Sequence, residues 1–134
     1  MKYLLDTNTV SYYLRGTPAT VKHLQGQKPS TLAISAITAM ELAYGVEKRQ
    51  SPTLAAAVQG FLTGVQVLSF DRDAANQAGV VRASLERIGI AISLADSQIA
   101  GHALALGLTM VSSDGVFKRV RGLTVKNWSK PRSE

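Results

Sequence analysis

No cysteine occurs in the chain. That absence excludes a disulfide scaffold, a Cys-ligated zinc site and a cysteine nucleophile. No apolar run reaches the roughly 18 residues that a membrane helix requires, so no membrane role is expected. No secretory leader is expected either, because Asp6 interrupts the apolar start before an h-region forms. A cytoplasmic location is the default. Repeats, low-complexity stretches and linkers are missing as well. Acidic residues are scarce, with nine against fifteen Lys and Arg, and there are two histidines.

What remains is sufficient for one folded unit. A chain of 134 residues buries a core without staples, and a single domain over 1–134 is expected. An apolar fraction of 46% with 18% charged residues fits a globular domain and excludes disorder. The formal net charge is +6. Such a protein meets nucleic acid, anionic lipid or an acidic protein, or uses its charge for solubility alone. The segment Gly115–Glu134 concentrates Lys118, Arg119, Arg121, Lys126, Lys130 and Arg132 against one acid, Glu134. That basic stretch suits a phosphate backbone.

Short apolar runs alternate with longer helical ones. The spacing predicts strands at Lys2–Leu5, Thr31–Ile34, Val65–Phe70, Leu108–Val111 and Leu123–Lys126. It predicts helices at Thr9–Arg15, Pro18–Gln25, Ala36–Arg49, Pro52–Leu62, Arg72–Ile88 and Leu94–Leu106, with a helical turn at Gly115–Val120. The helix at Ala36–Arg49 carries apolar Ile37, Met40, Leu42 and Tyr44. Strands separated by helices indicate an α/β fold, a parallel sheet with helices on both faces. Its strands should be buried on both sides. Ligands in that architecture bind beyond the carboxyl ends of the strands.

Four acids suit such a place. Asp6 follows the first strand, and Asp114 follows the fourth after Ser112 and Ser113. Glu41 and Asp96 are read in the first turns of apolar helices. Converging carboxylates repel one another, and a hard divalent cation removes that penalty. A carboxylate-held Mg²⁺ or Mn²⁺ can polarise a phosphoryl oxygen and activate a water. Each acid has a plainer role as well. Thr38-x-x-Glu41 and Ser93-x-x-Asp96 match capping boxes, Asp6 can cap the next helix, and Asp114-Gly115 is a turn dipeptide. An acid at the exit of a buried strand, within LLDTN, is the hardest to explain by capping.

Four segments together resemble a known family. LLDTN at Leu4–Asn8, ISAITAMELAYG at Ile34–Gly45, LADSQIAGHALALGL at Leu94–Leu108 and VSSDGVFKRVRGLTVKNW at Val111–Trp128 are similar, in order and spacing, to the motifs of PIN domains of the VapC toxin type. The resemblance implies a PIN-like fold with about five parallel strands between helices. It implies a Mg²⁺- or Mn²⁺-dependent endoribonuclease, the toxin of a toxin–antitoxin pair. Asp6, Glu41 and Asp96 match the family's core carboxylates and Asp114 the fourth, more variable one. Thr7, Asn8 and Ser35 match positions that orient carboxylates or water, and they serve equally as turn and cap residues. The implied partners are a structured RNA such as tRNA, cut at an unpaired loop, a VapB-like antitoxin, and a second copy of the chain. Apolar surface on Ala36–Leu62 could supply the homodimer contact or simply pack into the core.

Two other readings stand beside it. A haloacid-dehalogenase-like phosphatase also begins with an Asp after its first strand, but needs a second Asp where this chain has Asn8. A catalytically silent RNA- or protein-binding module on the same fold has no need of four acids. No histidine is placed as a separate general base, and His102, inside an apolar helix, reads as buried or capping.

Overall fold

The computed structural model describes residues 1–131. The strands are β1 (Tyr3–Leu5), β2 (Leu32–Ser35), β3 (Gln66–Leu68), β4 (Thr109–Val111) and β5 (Val125–Lys126). The helices are α1 (Thr7–Leu14), α2 (Pro18–Gln25), α3 (Ala36–Arg49), α4 (Pro52–Leu62), α5 (Arg72–Arg87) and α6 (Leu94–Leu106). Short 3₁₀ turns lie at Pro29–Thr31 and Gly115–Arg119. All strand pairs are parallel, in the order β3-β2-β1-β4-β5. The chain builds outward from β1 to β3, then crosses to the other side for β4 and β5. The crevice between β1 and β4 is therefore the switch point, where such sheets bind ligands.

Side chains alternate across the sheet with period two. Tyr3 and Leu5 face one cluster, with Val10 of α1, Leu24 of α2, Leu42 of α3 and Phe61 of α4. Leu4 faces the other, with Val81 and Leu85 of α5, Ile99 and Ala103 of α6, and Phe117. Each such side chain stabilises the fold by roughly 1.5–3 kcal/mol on burial. α5 and α6 touch where Gly101 has no side chain, since a Cβ there would sit 2.3 Å from the Ala78 backbone nitrogen. Gly107 ends α6 at φ 65°, the left-handed cap that glycine adopts without strain.

Local chemistry set most helix limits. Pro18 and Pro52 open α2 and α4, and Ser35, Ser51 and Ser93 cap α3, α4 and α6 with their hydroxyls. Three expectations need correction. α1 starts at Thr7 rather than Thr9, with Asp6 capping it as its position allowed. Four of the strands are shorter than the runs expected to hold them, and β2 keeps its length but is shifted one residue onward. β3 is an edge strand with Gln66 and Val67 exposed, so not every strand is buried on both sides.

Candidate active site

The carboxyl ends of β1 and β4 lie side by side, with Leu5 opposite Val111. Asp6 leaves β1 there and is 3% exposed. Its backbone N–H donates to the Val111 carbonyl at 3.0 Å. Its Oδ1 accepts from the Thr9 N–H at 2.8 Å. Thr9 ties the same corner from its side chain, donating to the Val111 carbonyl at 3.1 Å. Asp6 is thus both helix cap and buried acid.

Asp114 caps the 3₁₀ turn after β4. Its Oδ1 accepts from Val116 N–H at 3.0 Å, and its own N–H donates to Ser112 Oγ at 3.0 Å. Ser112 holds the Asp114 backbone, and its neighbour Val111 holds the Asp6 N–H. Tyr12 of α1 meets Ser113 at 3.3 Å between hydroxyls and closes the same rim. Asp96 lies in the first turn of α6, with its N–H donated to Ser93 Oγ at 3.1 Å. Glu41 lies one turn deeper in α3 than the sequence suggested, because Ser35 rather than Thr38 is the cap. Thr38 is buried instead, 3.2 Å from Thr7 Oγ1, and Thr7 donates to Glu41 Oε1 at 2.5 Å.

These four acids feel one another. Burial raises the Asp6 carboxyl above its usual value, the Ser112 and Thr9 hydrogen bonds oppose the rise, and the Asp114 charge adds to it. Burial also raises Asp96; its bond with Ser93 opposes this, and the charges of Asp114, Asp6 and Glu41 reinforce it. Among the described residues the recorded ion pair is Arg82–Glu86 on α5, so no Lys or Arg neutralises the cluster. Neither do three or more of its carboxylates close on a point where an ion would sit, among those residues. Asp6, Glu41 and Asp114 have turned to nearby donors instead, which is how unneutralised carboxylates lower their energy. The donor set, carboxylates and hydroxyls without sulfur or imidazole, fits a hard divalent cation.

Of the expected helpers, Thr7 does orient an acid. Ser35 holds His102 Nδ1 at 2.9 Å and caps α3. Asn8 is exposed on α1. Ser112 had no signal beyond its place after an apolar run. His102 is buried, as its helix suggested. The basic stretch divides. Phe117 carries Lys118 and Arg119 toward the α5–α6 side, whereas Lys126 and Lys130 lie on the α2 side. Arg132 and Glu134 lie outside the described residues. On the Ala36–Leu62 segment, Leu42, Val58 and Phe61 are core, while Met40 and Tyr44 are 56% and 61% exposed. Away from the acids, a shallow groove of about 350 Å³ runs past Tyr13, Leu24 and Phe61. No helix among the described residues is long and apolar enough to cross a membrane.

Known proteins resemble this chain in sequence and fold. The PIN domain family model matches residues 3–123. A Shigella flexneri protein named "tRNA(fMet)-specific endonuclease VapC" is 38% identical, over 96% of this chain and 99% of its own. A Haemophilus influenzae protein named "Ribonuclease VapC2" is 35% identical, over 96% and 98%. The crystal structure of DNA-bound VapBC from Salmonella typhimurium superposes with a TM-score of 0.87 at 36% identity, over 96% of this chain and 98% of that one. VapBC2 from Rickettsia felis, bound to a promoter DNA fragment, gives 0.86 at 32% identity, over 96% and 99%.

Proposed function

The chain belongs to the PIN-domain family, and from that premise we propose how its acidic pocket works. It is a metal-dependent endoribonuclease of the VapC toxin type. Asp6, Glu41, Asp96 and Asp114 hold the metal, and the ion is Mg²⁺, with Mn²⁺ able to replace it. When bound, the ion neutralises these carboxylates, polarises a phosphoryl oxygen and activates a water for in-line attack. The chain's own groups prepare that place. Thr9 N–H fixes Asp6, Thr7 fixes Glu41, and Ser93 fixes the start of α6 and so Asp96. The observation that carries the reading is the mutual repulsion of four carboxyl groups in a pocket without a cation of its own.

The substrate is transfer RNA, as in the relatives' names, cut at an unpaired loop, because side chains cannot read the deep groove of an A-form duplex. The partner is a VapB-type antitoxin, as in the structural neighbours. Met40 and Tyr44, one turn apart and exposed on α3, supply apolar surface for a homodimer. Residues 1–134 act as one domain in the cytoplasm. The phosphatase alternative falls with the family, since Asn8 stands where its second Asp is needed.

The test is cleavage of labelled transfer RNA with Mg²⁺ and with chelator. Wild type cuts only with the metal. Losing a residue that merely orients a ligand costs roughly 10–100-fold, so Asp6→Asn should lose at least about 100-fold. Undiminished cutting by Asp6→Asn, or in chelator, overturns the assignment. Tight RNA binding without cutting would point to the silent module.

A further inference from the structure

None of the chemistry above uses the excess positive charge. On the β5 side of the molecule that charge is built into the fold. Lys2 Nζ lies 5.2 Å from the centre of the Tyr3 ring, and Lys126 Nζ lies 5.8 Å from the same ring. Tyr3 meets Trp128 edge-on at 4.9 Å, and Trp128 stacks on His23 at 5.7 Å with a 4° interplanar angle. His23 Nε2 lies 2.9 Å from the Lys130 carbonyl oxygen, and Thr20 donates to the Trp128 carbonyl at 3.0 Å. One aromatic column therefore ties β1, β5, α2 and the chain after β5 together.

Tyr3 and Trp128 are each 4% exposed, so their faces are not open to stacking by bases. They act as a footing for exposed ammonium groups, each held by about 0.5–1 kcal/mol of cation–π attraction. The ammonium groups of Lys2 and Lys126 share one ring and repel each other. No Asp or Glu occurs in α2 or between Gly115 and Pro131, and neither lysine pairs with a carboxylate among the described residues. Like charges gathered in this way lower their energy when a polyanion arrives. The position matters as much as the charge. The Lys126 carbonyl accepts the Ser112 N–H at 2.9 Å, and the preceding Val111 carbonyl accepts the Asp6 N–H at 3.0 Å. Lys126 pairs with Val111 at the carboxyl end of the sheet, whereas Lys2 precedes β1 and its carbonyl accepts the Thr109 N–H at the amino end, so the cationic edge runs along the sheet and reaches the rim of the pocket at Lys126.

We infer that Lys2, Lys126 and Lys130, on the Tyr3–Trp128–His23 column, form a docking track for the phosphate backbone of the RNA that enters the acidic pocket. This rests on the ribonuclease reading above and adds where the substrate is gripped. Recognition there is by charge and is indifferent to sequence. An acidic protein segment would meet the same charges. RNA is favoured because the track abuts a pocket suited to phosphodiesters and its rings are already covered. The apolar groove that a protein chain would need lies instead at Tyr13, Leu24 and Phe61.

The test is the salt dependence of binding to labelled oligouridine, measured by anisotropy with the full chain in chelator. Each phosphate contact to a single strand contributes a log–log slope of roughly 0.7, so Lys2→Gln with Lys126→Gln should flatten it by about 1.4. Arg at both positions should restore it. Arg72→Gln with Arg87→Gln, on α5, is the charge-matched control and should leave it unchanged. Equal slopes for the two Gln pairs overturn the track, whether both fall or neither does. A retained RNA slope with lost binding to polyglutamate also overturns it, in favour of an acidic protein. Cleavage of transfer RNA with Mg²⁺ is scored separately. A wild type that cuts, with a slope the lysines do not alter, loses the track alone. A wild type that binds but never cuts loses the nuclease reading, and with it the claim that the track feeds a cutting site.

Discussion

Asp6 and His102 occupy neighbouring strand exits and are almost equally sealed from water, at 3% and 2% exposure. Asp6 follows β1, and His102 reaches Ser35 at the end of β2. Their environments answer burial in opposite ways. Burial lowers His102 below its usual value, and a neutral ring is at home there. The Asp71 charge and the Ser69 backbone oppose that fall in part. His102 Nδ1 and Ser35 Oγ lie 2.9 Å apart, while Ser35 Oγ accepts from the Ile37 N–H. Phe70 covers the ring edge-on at 5.4 Å. Among the described residues no buried side-chain nitrogen or oxygen lacks a hydrogen-bond partner. Asp6 collects hydrogen bonds too, yet burial and the Asp114 charge still raise it. The scaffold beside the pocket is complete in itself, whereas the pocket, on the proposed reading, would be completed by a cation from outside.

The contrast is sharpest if each group is removed. In chelator at neutral pH, Asp6→Asn deletes a buried charge and keeps an oxygen for the Thr9 N–H. Its melting temperature should therefore rise by about 4 °C or more, for roughly 1 kcal/mol gained in a domain of this size. The same substitution abolishes cleavage, so stability and activity move apart. Adding Mg²⁺ should raise the melting temperature of wild type and leave the variant flat. A metal-free variant that melts below wild type would mean that Asp6 is a structural acid.

His102→Leu should act in the other direction. It strands the Ser35 hydroxyl in the interior, at a cost of roughly 1–3 kcal/mol when left unpaired. Urea unfolding should show a loss of about 1–3 kcal/mol, with the midpoint moved and the slope kept. Ser35→Ala combined with His102→Leu should cost less than the two changes added, because they share one bond. Simple additivity would break the claim that Ser35 and His102 form a unit.

Legibility in the sequence follows the range of the forces involved. Pro18, Pro52, Ser93 and Gly107 act within a turn of their own position, and α2, α4 and α6 have the limits those residues announce. Thr38 and Ser35 both looked able to cap α3, and local pattern alone could not choose. Thr38 turns inward because Thr7, thirty-one residues away in the chain, stands against it. The bond from Thr7 to Glu41 spans thirty-four residues and leaves no local trace. Except at β2, strand ends were overextended because an apolar run records burial, while pairing decides the strand. The acids themselves were visible from their position after apolar runs. Lys2 joined the cationic edge through strand order: β1 and β5 both flank β4, which no composition count reveals.

The smallest expected effect separates the two groups by pH. For His102 the folded value lies below the ordinary 6.5 of a histidine, so the unfolded chain binds the proton more readily. Stability from this group is complete above pH 6.5 and is lost as pH falls from there through the lowered folded value. The groups around the ring set its size. Burial drives the shift, the Asp71 charge at the start of α5 and the Ser69 backbone partly oppose it, and Ser35 and Phe70 are neutral. Each unit of lowering is about 1.4 kcal/mol. His102→Gln has nothing to titrate, so between about pH 7.5 and pH 5.5 wild type should lose stability that the variant keeps. Asp6 and Asp96 titrate with the opposite sign and are common to both proteins, so they cancel in the difference. Parallel losses would mean that the ring already carries its proton when folded. His102 would then be as unsettled a group as Asp6, and the contrast between scaffold and pocket would disappear.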